Sequence, residues 1–108
     1  MCIEARLLRA LERSTPFPKE AVRTLERFTG CGSVLIKPEG IEWRKALAAK
    51  SASSEVRAKM ARFVTGLSPY IGRVVIGGCL WTATHRYWVS VDPESEEVFH
   101  WEEVRRNG

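Results

Sequence analysis

No run of apolar residues in this 108-residue chain approaches the roughly 20 needed to span a bilayer. The opening MCIEARLLRALERS interrupts any apolar stretch with Glu4, Arg6 and Arg9, so a secretory leader is not expected either. Cysteine is scarce. Cys2, Cys31 and Cys79 are odd in number and far apart, which argues against a disulfide framework and for reduced thiols. These absences place the protein in the cytoplasm, away from a membrane. No pair among Cys2, Cys31, Cys79, His85 and His100 has the close spacing that structural zinc requires, so no metal site is expected. No glycine-rich loop joins a strand to a helix, which leaves no phosphate cradle and no cofactor to name. Internal repeats, heptads and low-complexity segments are missing as well.

What is present is a chain whose organising stretch lies near the end. RVVIGGCLWTATHRYWVSVDPESEEVFHW, from Arg73 to Trp101, gathers β-branched, aromatic and turn residues in short runs. The runs are divided by Gly77-Gly78, by His85-Arg86 and by Asp92-Pro93-Glu94-Ser95, which predicts an antiparallel meander of three or four strands. Gly77-Gly78 is expected to form a turn or bulge.

Helices come first. Ile3, Leu7, Leu8 and Leu11 recur at helical spacing, and the two prolines of Ser14-Thr15-Pro16-Phe17-Pro18 stop that helix. Pro18 opens a second helix in which Ala21, Val22, Leu25 and Phe28 form the buried stripe, with Gly30 ending it. Gly32–Lys37 suits a brief edge strand. Residues 41–50 favour helix by composition, although Ile41 and Trp43 alternate as in a strand. One of the serines 51–54 should cap a further helix whose apolar face is Val56, Met60, Phe63, Val64 and Leu67. The order predicts an α+β fold in a single domain over residues 1–108: an N-terminal helical pair and one or two further helices, packed on a C-terminal antiparallel sheet.

The net charge of +4 conceals an asymmetry. Residues 1–90 carry 15 Lys/Arg against 7 Asp/Glu, whereas residues 91–108 carry 2 against 6. A basic body favours a polyanionic partner, and Asp92-Pro93-Glu94-Ser95 has the composition of a turn tip whose carboxylates are solvated. Alternation puts Tyr87, Val89 and Val91 on one sheet face and Trp88 on the other, where Trp88 is expected to be exposed. Trp81 and Trp101 on neighbouring strands are expected to join it.

The expected function is therefore non-enzymatic binding, with no catalytic residue. The partner is nucleic acid or a protein complex that handles nucleic acid. The binding residues are Trp88, Arg86, Arg73, Arg57, Arg62, Arg6 and Arg9. In size and composition alone the chain is similar to small phage and mobile-element inhibitors of host defence systems, of the anti-CRISPR kind. Two alternatives belong to other classes: a small enzyme using Cys79 with a histidine, and a structural subunit that self-associates through its sheet.

Overall fold

A computed structural model describes residues 2–107. It is an α+β chain with four helices and a four-stranded antiparallel sheet among the described residues. The chain forms two compact units: one joins the residues up to Val34 with those from Val75 onward, and the other is Leu35–Val74. No helix is long and apolar enough to cross a membrane.

The first unit holds helices α1 (Ile3–Arg13) and α2 (Lys19–Arg23) and strands β1 (Arg27–Leu35, whose last residue opens the second unit), β2 (Val74–Trp81, whose first residue closes the second unit), β3 (His85–Val91) and β4 (Val98–Arg105). The strands lie in the order β1-β2-β3-β4. Register sets Leu80 opposite Tyr87, Gly78 opposite Val89 and Ile76 opposite Val91, so one face gathers these apolar side chains. Leu7, Ala10 and Leu11 of α1 and Ala21 of α2 pack with them into one core. Burial of this area is what holds the short helices in place, since five residues of α2 would not persist as an isolated helix.

Three sequence expectations are corrected. The second helix ends at Arg23 and does not reach Phe28. Thr24 caps it, its hydroxyl donating to the Glu20 carbonyl (2.7 Å), and the Glu26 amide then donates to the Trp81 carbonyl (2.8 Å), so the sheet captures the backbone. Phe28 still meets the core, but from β1. Gly77-Gly78 is no turn: both glycines sit buried in the interior of β2. His85-Arg86 begins β3, and the reversal is made by Thr82–Thr84 instead. There the Thr82 hydroxyl accepts from the amides of Thr84 (3.3 Å) and His85 (3.0 Å), a side-chain turn that competes well with glycine.

The turn at Asp92–Glu97 is where the sequence puts it. Asp92 Oδ1 accepts from the Glu94 amide (2.9 Å), and Glu96 adopts a left-handed φ of 57°. An L side chain takes that conformation only when its surroundings impose it. Here Arg6 Nε donates to Glu96 Oε2 (3.2 Å), Arg9 Nη2 donates to the same oxygen (2.6 Å), and Arg6 Nη2 donates to the Pro93 carbonyl (3.0 Å). The turn is thereby clasped to α1. Hydrogen bonds from Arg9 and then Arg6 hold the Glu96 carboxyl below the usual carboxylate range. A carboxylate whose folded pKa is depressed stabilises the fold above its unfolded pKa of about 4.3, and loses that contribution as pH falls through the folded value. Glu96→Gln should therefore lower Tm at pH 7, and the gap from wild type should close as pH drops below about 4. Thermal denaturation at the two pH values checks this. An undiminished gap in acid would mean that the side chain acts by shape and not by charge.

The second unit pairs α3 (Pro38–Lys50) with α4 (Ser54–Leu67), followed by one turn of 3₁₀ helix (Ser68–Tyr70). Residues 41–50 are thus helical, with Pro38 preset for the first turn. Ser53 caps α4, its hydroxyl accepting from the Val56 amide (3.3 Å). Ile41, Phe63 and Leu67 are buried. The unit's ends are tied by backbone bonds from Ile36 to the Arg73 carbonyl (3.0 Å) and from Gly72 to the Ile36 carbonyl (2.7 Å).

Candidate nucleic-acid interface

The second sheet face carries Gly77, Cys79 and Trp81 from β2, Ser90, Trp88 and Arg86 from β3, and His100, Glu102 and Val104 from β4. Its chemistry changes along its length. Toward one end Ser90, His100 and Glu102 are buried, with Trp88 half-buried beside them and its ring 6.5 Å from that of His100. The expectation of an exposed Trp88 is corrected accordingly: alternation fixes which face a residue takes, but not whether that face is open. Trp101 does not join it. Opposite Val89 in the register, Trp101 belongs to the core face, 5.2 Å from the Phe17 ring.

At the other end the register lines up Trp81, Arg86 and Val104 across three strands. Trp81 is half-buried, its indole Nε1 donating to the Thr29 hydroxyl of β1 (2.6 Å). Three guanidinium groups then surround its ring: Arg27 at 4.9 Å from the centroid, Arg106 at 5.3 Å and Arg86 at 5.4 Å. Each distance lies inside the roughly 6 Å at which the ring quadrupole attracts a cation. The aromatic ring thus brings together three like charges within about one Debye length, where they raise the local potential for an anion. A cavity of ≈ 280 Å³ at this spot is lined by Trp81, Arg86, Val104, Arg105, Arg106 and Asn107.

Arg106 is anchored, donating to the Thr82 carbonyl (2.6 Å) and pairing with Glu26 at 3.4 Å. Arg27 and Arg86 are exposed, and among the described residues neither forms an ion pair. A cluster of exposed cations of which only one meets a carboxylate is what an anion-binding surface requires.

Of the sequence-predicted residues, only Arg86 enters this cluster. Arg6 and Arg9 are engaged with Glu96 at the β3–β4 turn. Arg57, Arg62 and Arg73 belong to the second unit, where Arg57 donates to the Ser51 carbonyl (2.8 Å) and Arg73 lies 4.8 Å from the Tyr70 ring centroid. That unit also holds an exposed Trp43, with Arg44 set between its ring (5.8 Å) and that of Phe63 (5.0 Å). Burial pushes the Arg44 guanidinium's pKa down.

Sequence reasoning misses Arg27 and Arg106. Arg27 is hidden by the expectation of a helix there, and Arg106 by its place in an acidic tail. The tail's acidity is itself partly withdrawn from the surface, because Glu102 is buried, 3.5 Å from His100. A second cavity of ≈ 360 Å³, lined by Arg13, Ser14, Thr15, Glu96 and Glu97 among others, is bounded by charges of both signs and favours neither.

Burial foremost, and then the nearby Glu4, push the Cys31 pKa up, the reverse of what a nucleophile needs. Cys79 makes no hydrogen bond to either imidazole; His85 Nδ1 is instead 2.7 Å from the Thr84 hydroxyl. Among the described residues no group of His, Cys, Asp and Glu is placed to hold a metal ion.

No family model, curated protein or solved structure matches the chain.

Proposed function

We propose that the protein is a non-enzymatic binding protein that docks on nucleic acid through the arginine-framed Trp81 end of its sheet. The observation that carries this reading is the convergence of Arg27, Arg86 and Arg106 on one indole ring. Arginine suits the task because its guanidinium is planar, always charged, and able to contact phosphate and aromatic surfaces together. The basic excess of residues 1–90 would steer encounter, while the cluster supplies the contact.

Titration of a labelled oligonucleotide against the intact protein at rising salt tests the reading. Affinity is expected to fall linearly on logarithmic axes, with a slope of about −0.7 to −0.9 per phosphate neutralised. Arg27→Ala with Arg86→Ala should weaken binding about tenfold or more and flatten the slope by about 1 per lost contact. Stability should change little, since these exposed residues lose only cation–π contacts worth about 0.5–1 kcal/mol each. Binding independent of salt would exclude the proposal. A double variant that binds like wild type, while Arg57→Ala with Arg62→Ala abolishes binding, would move the site to α4.

A further inference from the structure

The cavity beside Trp81 offers more than charge. Its wall is part apolar, from Val104 and the indole, and part amide, from Asn107. A site for phosphate alone gains nothing from an apolar surface, since phosphate is held by donors and by charge. A nucleobase uses all three: its faces stack on aromatic rings and guanidinium planes, and its edge hydrogen-bonds to amides. Arg86 lies over the Trp81 ring and makes no hydrogen bond or ion pair among the described residues, so its outer face is available to extend the stack. Arg106 lines the same cavity, 5.3 Å from the Trp81 ring centroid, placed for the phosphate that adjoins such a base.

Resting on the nucleic-acid reading above, we infer that this cavity takes an unpaired base of a single strand, stacked against Arg86 and Val104 with its flanking phosphate on Arg106. A duplex presents only base edges within its grooves, and its stacked interior cannot enter a cavity of this kind. The three cations around Trp81 are also concentrated at one point instead of being spread along a groove, which matches one nucleotide of a flexible strand.

Three labelled probes of equal length distinguish the outcomes: an oligothymidylate single strand, the same strand with abasic residues, and a duplex. At one moderate salt concentration the full-length protein is expected to bind the thymidylate about tenfold or more tighter than the abasic strand, the effect of one stacked base. Arg86→Lys keeps the charge and removes the plane, so it should bring that ratio toward one by weakening thymidylate binding more than abasic binding. Equal, salt-sensitive binding of thymidylate and abasic strands would overturn the base pocket and leave polyanion binding standing. Tighter binding of the duplex would likewise overturn it. If none of the three binds at low salt while polyglutamate does, the partner is an acidic protein surface, and both readings fall together.

Discussion

Phe17→Ala is expected to lower stability by about 3–5 kcal/mol, the usual cost of removing a buried phenyl ring. The residue lies between Pro16 and Pro18 in the connection from α1 to α2, yet it is only 1% exposed. Its ring meets Tyr87 edge-on at 5.3 Å between centroids and Trp101 at 5.2 Å, the geometry in which the positive edge of one ring faces the negative face of another. Tyr87 and Trp101 sit on β3 and β4, so Phe17 ties the α1–α2 connection to two strands at once. Removing it leaves a cavity between rigid partners that cannot collapse, because the flanking prolines limit how far the backbone can move. Chemical denaturation should show a lower midpoint. Phe17→Leu, which refills most of the space, should recover a large part of the loss. A change below about 0.5 kcal/mol for Phe17→Ala would mean that the connection does not close the core, since that is the size of an ordinary surface substitution.

Gly78→Ala should cost about 1–3 kcal/mol although it adds a single methyl group. A Cβ at this position would stand 2.8 Å from Cys31 Sγ, 3.0 Å from Leu7 Cδ1 and 3.3 Å from Cys31 Cα. Leu7 is fully buried in the core, so turning its side chain presses on other core residues. The glycine is therefore needed for the close approach of α1 and β1 to β2, and a left-handed backbone plays no part. Cys31→Ala removes the nearest clashing atom, so in the double variant the two substitutions should cost less than their separate effects combined, by about 0.5 kcal/mol or more. Additive losses would locate the strain at Leu7 instead. The same experiment tests whether Cys31 has any role beyond filling this contact.

The α+β class, α1, the serine-capped α4 and the Asp92–Glu97 turn were all legible in the sequence, because each depends on interactions within a few residues. Periodicity places Leu7 and Leu11 on one helix face, a hydroxyl caps the helix that follows it, and aspartate closes its own turn. Alternation along β3 likewise separated Tyr87, Val89 and Val91 from Trp88, since that is a property of one extended strand.

What sequence could not decide was every feature made by chain segments meeting. Residues 24–28 hold a helix-compatible stripe, and only the capture of Glu26 by the Trp81 carbonyl makes them the approach to a strand. Gly77-Gly78 has the composition of a turn, and only the closeness of Leu7 and Cys31 explains glycine within a strand. The candidate site shows the same division most sharply. Arg27, Trp81, Arg86 and Arg106 come from β1, β2, β3 and the residue just beyond β4, and no local signal links them. Their meeting is set by strand order and register, which long-range hydrogen bonding and core burial fix together, so the site became visible only when the sheet was assembled.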